Sequence, residues 1–133
     1  DTRMILVDTS VWILVLRDSN GRYAKKLRAI EGDQDLVFTR FTQLELCQGA
    51  RDEFEWALLS EYLSDQVYIE TSSETWKDAA RIYFDLRRRG KTVHSPIDCC
   101  IAQLALENDL TLLHRDKDFQ TIAAVRSLRA QRF

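Results

Sequence analysis

Four acidic residues sit where shared chemistry is plausible. Asp8 lies in MILVDTSVWIL, between the apolar runs Met4–Val7 and Val11–Leu14, with Thr9 and Ser10 beside it. An unpaired ionised carboxylate removed from water costs on the order of several kcal/mol. Asp8 therefore either caps a helix or meets a partner that favours negative charge. Glu45 lies in TRFTQLELCQGA, Asp98 in SPIDCCIAQLALEND, and Asp116 in HRDKDF with Asp118 two positions on. Carboxylates that meet repel one another, and each is pushed toward its protonated form unless a cation balances them. Hard oxygen ligands without His or Cys suit Mg²⁺, with Mn²⁺ as a substitute. Such an ion positions a water, lowers its pKa and stabilises charge at a phosphodiester undergoing displacement. The chemistry implied is phosphodiester hydrolysis.

Whether the acids meet depends on the elements that carry them. Met4–Val7 is a short branched apolar run, as in a buried strand. The stretch from Val11 to Leu16 reads as helix, and Asn20-Gly21 as a turn. A helix over Arg22–Glu31, a strand at Leu36–Phe38, and helices over Thr39–Ala50 and Glu53–Leu63 follow from the spacing of their apolar residues. Val67–Ile69 reads as a third strand. Ser73–Arg89 is a long helix stopped by Gly90. Ser95 is the expected N-cap of the next helix, with Pro96 at its first position. Thr111–Leu113 is a further strand, followed by a short helix and a final strand near Val125. Short apolar strands alternating with helices predict an α/β domain with a mainly parallel sheet. Sites in such sheets form outside the carboxyl ends of the strands. Asp8 and Asp116 follow strands there, and the helices bearing Glu45 and Asp98 begin on the same edge.

Each acid also has a local explanation. Asp98, three residues after Ser95, suits a helix dipole and a capping box. Thr42-x-x-Glu45 has the same pattern. Asp116 and Asp118 suit a turn and a cap, and Asp8 suits a cap reached through Thr9 or Ser10. These readings need separate coincidences, whereas one cation accounts for all four acids.

The bulk composition narrows the classes. The chain has 133 residues, 45% hydrophobic and 30% charged, which suits one ordinary domain with a real core. Only 4 Gly and 1 Pro argue against a loop-rich β architecture. Cys47, Cys99 and Cys100 form no C-x-x-C pair, so reduced core thiols are expected. No apolar run approaches the ~20 residues of a membrane span, and no signal-peptide pattern opens the chain; a cytoplasmic location is expected. A formal net charge of −2 weighs against simple electrostatic coating of nucleic acid. Asp1-Thr2-Arg3 reads as an expression scar or extension before a domain spanning 4–133.

The blocks ILVDTSVWI, TQLELCQGA, SPIDCCIAQLA and LLHRDKDF resemble, in order and spacing, the PIN domain of VapC-type toxins from bacterial toxin–antitoxin pairs. The resemblance runs from Met4 essentially to the end. It implies a Mg²⁺-dependent endoribonuclease on a three-layer α/β/α sandwich. Asp8, Glu45, Asp98 and Asp116 match the family's catalytic acids, and Asp118 a further acid at the site's edge. By that pattern Asp8 and Asp98 are the principal metal ligands, while Glu45 and Asp116 orient waters or hold a second ion. Thr9 and Ser10 match small hydroxyl residues beside the first acid. The family resemblance also implies a homodimer neutralised by a small antitoxin whose C-terminal segment blocks the site. By the same resemblance the expected substrate is RNA, with transfer and ribosomal RNA both open. His114-Arg115 and Cys99-Cys100 depart from the usual pattern without touching the acid set.

Other features have two readings each. RRRGK (residues 87–91) complements a helix C-terminus or contacts RNA, making Arg87, Arg88 and Lys91 candidate contacts, with Arg115 as another. Arg22, Lys25, Lys26 and Arg28 are equally ambiguous. Trp12, Trp56 and Trp76 read as packing residues, or as stacking or partner surfaces where exposed. His94 and His114 lack metal-ligand spacing and read as structural. Among rival classes, a haloacid-dehalogenase-like phosphatase wants Asp where Ser10 stands, a receiver wants acids and a Lys placed differently, and no glycine-rich phosphate loop exists. An inactive PIN-like interaction module or another acid-cluster phosphohydrolase is the alternative.

Overall fold

The computed structural model describes residues 3–133. Asp1 and Thr2, which belong to the expected N-terminal extension, lie outside the described residues. Strand β1 (Met4–Val7) leads into α1 (Thr9–Arg17) and α2 (Arg22–Glu31). Then come β2 (Asp35–Thr39), α3 (Arg40–Gln48), α4 (Glu53–Ser64) and β3 (Tyr68–Ile69). The chain continues through α5 (Ser73–Arg88), α6 (Pro96–Glu107), β4 (Thr111–His114), α7 (Asp118–Ala123) and β5 (Ala130–Arg132).

The strands form one sheet in the order β3-β2-β1-β4-β5, and every pairing is parallel. β1 is central, with Leu6 opposite both Val37 and Leu112. Side chains alternate across the sheet. Leu6, Val37 and Leu112 face a core built with Ile82, Leu86, Ile101 and Phe119, from α5, α6 and α7. Ile5, Val7, Phe38 and Leu113 face the opposite core, with Val11, Trp12, Leu27 and Leu63. A sheet buried on both faces needs continuous apolar strands, as β1 has. The result is the three-layer α/β/α sandwich expected from the sequence.

α6 is packed nearly all round, with Cys99, Cys100, Ile101, Ala102, Leu104 and Ala105 buried. The Cys99 thiol is pushed up to about 12, by burial first and then by Asp98, so it stays protonated and inert. Trp12 is buried and stacks on Phe38 at 4.9 Å between ring centroids. Trp56 and Trp76 differ from the packing role expected of them, being 50% and 53% exposed. α5 ends where Gly90 takes φ 72°, a left-handed conformation that glycine adopts without strain.

The last strand lies at Ala130–Arg132 rather than near Val125. Val125 is in the turn that closes α7, its N–H bonded to the Ile122 carbonyl at 3.0 Å. β5 is an edge strand held by its ladder to β4, where Leu112 pairs with Ala130. Its residues are half-exposed or exposed, so it needs no apolar run. No helix among the described residues is long and apolar enough to cross a membrane.

Candidate active site

The parallel sheet puts the ends of β1 and β4 side by side. The N–H of Asp8 donates to the Leu113 carbonyl at 2.9 Å, extending that pairing one residue past β1. Asp8 is the N-cap of α1, its carboxylate accepting the N–H of Ser10 at 2.9 Å and the Ser10 hydroxyl. The local reading of Asp8 thus holds, but it is not the whole account. At 4% exposure the carboxyl's pKa is raised by burial, against the Ser10 hydrogen bonds that favour the charge, with Glu45 adding repulsion.

Thr9 connects β1's end to α3. Its Oγ1 lies 2.8 Å from Glu45 Oε1 and 2.9 Å from Thr42 Oγ1. A hydroxyl has one proton, so Thr9 donates to the carboxylate and accepts from Thr42. The Thr42–Glu45 capping box read from the sequence is not formed. The N-cap of α3 is Thr39, whose Oγ1 accepts the Thr42 N–H at 3.2 Å. Thr42 is inside the helix, and Glu45 is left free to face the site.

Asp98 occupies the first turn of α6, after the Ser95 cap and Pro96. Ser95 Oγ accepts the Ile97 N–H at 3.1 Å. Asp118 opens α7, its N–H donating to Asp116 Oδ1 at 3.0 Å. Asp98, Asp116 and Asp118 each present an oxygen within 4.8 Å of the others. The tightest group therefore contains Asp118, a secondary residue in the sequence reading, and not Asp8. Asp8 and Glu45 border it, and their charges reach Asp98. Burial, followed by the charges of Asp8, Asp116, Asp118 and Glu45, pushes the Asp98 carboxyl up to about 8.

Asp118 behaves oppositely. It is buried, which disfavours its charge, yet its pKa is lowered through hydrogen bonds from His94. Asp118 Oδ2 accepts the His94 N–H at 2.9 Å and lies 3.0 Å from His94 Nδ1. A carboxylate oxygen only accepts, so Nδ1 carries a proton. The other histidine is structural as expected: His114 is fully buried, its Nδ1 accepts the Asp116 N–H at 3.2 Å, and burial lowers its pKa. His94 was not foreseen as part of the site, because it lies 24 residues from Asp118 and no spacing marks their contact.

Ser10 also accepts the Arg115 N–H at 2.9 Å, which fixes the loop after β4. The side chains of Arg115, Arg87, Arg88 and Lys91 belong to exposed residues. Of the eight residues singled out around the acids, Asp8, Thr9, Ser10, Glu45, Asp98, Asp116 and Asp118 converge on the carboxyl edge of the sheet, and Arg115 is at its rim.

Against known proteins, the PIN domain family model matches residues 5–125. The chain belongs to the PIN domain family. Within that family it is similar to VapC ribonucleases over nearly its whole length. Ribonuclease VapC11 of Mycobacterium tuberculosis is 31% identical over 133 residues, covering 98% of this chain and 99% of that one. Ribonuclease VapC51 of the same organism is 32% identical over 120 residues, covering 90% and 85%. In fold, the chain resembles a chain of VapBC2 from Rickettsia felis, solved bound to a promoter DNA fragment. The TM-score is 0.78 at 14% identity, over 97% of this chain and 98% of that one.

Proposed function

We propose that this chain is a metal-dependent endoribonuclease of the VapC toxin type, built as one PIN domain over residues 4–133. The observation that carries the proposal is the convergence of Asp98, Asp116 and Asp118, bordered by Asp8 and Glu45. An all-carboxylate donor set suits a hard divalent cation. With protein groups alone around it, Asp98 is driven up to about 8, a charge imbalance that such a cation relieves. Asp98, Asp116 and Asp118 would hold Mg²⁺, or Mn²⁺ in its place, with Asp8 completing the pair of principal ligands implied by the family resemblance. A cation bound there supplies a water of lowered pKa and offsets charge on the phosphodiester.

The chain's own groups do the rest. Thr9 holds Glu45 Oε1, leaving Oε2 to take the proton of an attacking water. The water oxygen bonds to phosphorus as one phosphorus–ribose oxygen bond breaks, and that oxygen leaves with the electron pair and takes a proton from solvent. Asp116 is oriented by the Asp118 N–H, and Ser10 holds Asp8. Arg115, Arg87, Arg88 and Lys91 would contact the RNA backbone.

The partners are RNA, a second copy of the chain and a cognate antitoxin. A cleft of about 840 Å³ between α1, α3 and α4 supports the last. Ile13, Leu16, Leu46, Leu58 and Tyr62 line it, and Glu45 stands at its edge. An apolar segment seated there would reach the acids and block them. The location would be cytoplasmic. Cleavage of RNA that requires Mg²⁺ or Mn²⁺ and is lost in Asp98→Asn tests the proposal. Metal-independent cleavage would overturn it.

A further inference from the structure

α5 carries a surface that the acid site does not use. Phe84 is half-buried on it and has three guanidinium groups about its ring: Arg81 at 4.8 Å, Arg88 at 5.7 Å and Arg87 at 6.0 Å from the centroid. A groove of about 790 Å³ opens here, with Tyr83, Phe84 and Pro96 as its apolar wall. Its volume is within the range of small-molecule and nucleotide clefts, roughly 300–1,000 Å³. Lys77, Arg81 and Arg87 face it against a single acid, Asp78. The chain as a whole is net −2, so this is a local concentration of positive charge. Arg81 commits only Nε, to Asp85 at 3.0 Å, and Arg87 makes no ion pair among the described residues. The exposed Lys77–Glu74 contact at 3.3 Å does little to hold Lys77 back.

The groove reaches the end of α6 that carries Asp98, on a different face of that helix. Its wall residue Pro96 stands two positions before Asp98, in the same first turn of α6. His94, two positions the other way, binds Asp118 and leaves its ring 81% exposed. Residues 94–96 thus form a short bridge between the carboxylates and the cationic aromatic groove.

We propose that this groove is a subsite for an unpaired RNA nucleotide flanking the phosphodiester at the acid site; the proposal rests on the ribonuclease reading above. The base stacks on Phe84 or on the guanidinium planes against it, and Lys77, Arg81 and Arg87 take the neighbouring phosphates. A cationic groove with aromatic faces binds single strands and gains nothing from a duplex, whose bases are already stacked. A second copy of the chain fits less well, because a two-fold contact through this groove sets its cations against themselves.

The test is binding of a short fluorescein-labelled single-stranded RNA in EDTA, read by anisotropy over a salt series, beside a duplex of equal length. Phe84→Ala weakens single-strand binding about tenfold and leaves duplex binding unchanged; Phe84→Trp restores it. Arg87→Ala lowers the slope of log K against log salt by about 0.7. Circular-dichroism melts and sedimentation accompany each variant, and Phe84→Leu preserves packing without the ring. Equal binding by wild type, Phe84→Leu and Arg87→Ala overturns the subsite. So does a variant that converts a dimer to a monomer in proportion to its binding loss, since the groove is then an interface. Metal-dependent cleavage by the wild type alongside either result leaves the ribonuclease reading intact; absence of cleavage from every RNA tried counts against that reading instead.

Discussion

Ser10 ties Arg115 to Asp8: its hydroxyl donates to the Asp8 carboxylate and accepts the Arg115 N–H at 2.9 Å, across 105 residues of sequence. One side chain therefore sets both an acid after β1 and the loop that leads to Asp116 after β4. Ser10→Ala removes a donor from a buried carboxylate and leaves a backbone N–H without its partner. The expected stability loss is about 1 kcal/mol, by the usual worth of such bonds. The expected loss of kcat is larger in effect, about ten- to a hundredfold, since the acids are displaced relative to one another. Ser10→Thr restores most of both. Steady-state cleavage and a denaturant melt on the same preparations check this; a melt that shifts with no change in kcat would contradict it.

Asp98 predicts a pH dependence of stability. Its folded pKa, about 8, stands above the ordinary carboxylate value of 3.8. The folded state then holds a proton that the unfolded chain has released. Stability from this group is full below pH 4 and declines as pH rises toward 8. In chelator, the wild type should therefore lose Tm relative to Asp98→Asn between pH 5 and pH 8. Adding Mn²⁺ at pH 8 should recover Tm in the wild type only. Parallel Tm–pH curves for the two proteins would show that Asp98 keeps an ordinary pKa.

His94 holds Asp118 through its backbone N–H and its ring Nδ1. Removing the imidazole in His94→Ala leaves one of two donors on Asp118 Oδ2. Mn²⁺ affinity, measured by electron paramagnetic resonance of the free ion, should weaken about tenfold, the lower end for groups that orient a metal ligand. His94→Asn, which can still donate, should recover part of it. Unchanged affinity in both variants would mean that the backbone N–H alone positions Asp118.

Leu112 is fully buried on β4, which lies between β1 and β5 in the sheet. Leu112→Ala should cost roughly 2–5 kcal/mol, the range for deleting a core leucine side chain. Urea melts give the value directly, and a cost near zero would place Leu112 outside the core.

Much of this was legible in the sequence because the signals are local. Ser95-Pro96 marks the start of α6 by cap chemistry and a fixed φ, and the structure begins the helix at Pro96. Met4–Val7 is short and rich in branched apolar residues, which fits a buried strand, and the structure buries Ile5, Leu6 and Val7 there. What escaped depends on partners distant in sequence or on polar backbone pairing. β5 is Ala-Gln-Arg on a sheet edge and is specified by β4's free ladder, not by its own side chains. The Thr42–Glu45 pattern fits a cap, but Thr39 caps α3 because β2 runs straight into the helix there. Asp118 enters the tight carboxylate group, and His94 reaches it, only because the turn after β4 meets the loop before α6. The acids themselves could be found because the carboxyl edge of a parallel sheet is one place, whatever its loops do.

The most direct measurement is cleavage of total cellular RNA by the purified, antitoxin-free protein in Mg²⁺, Mn²⁺ and EDTA, with Asp98→Asn and Asp8→Ala in parallel. Discrete products that appear with either metal, vanish in EDTA and vanish in both variants are the predicted result. Products that persist in EDTA or in the two variants would contradict the acid cluster as the catalytic site.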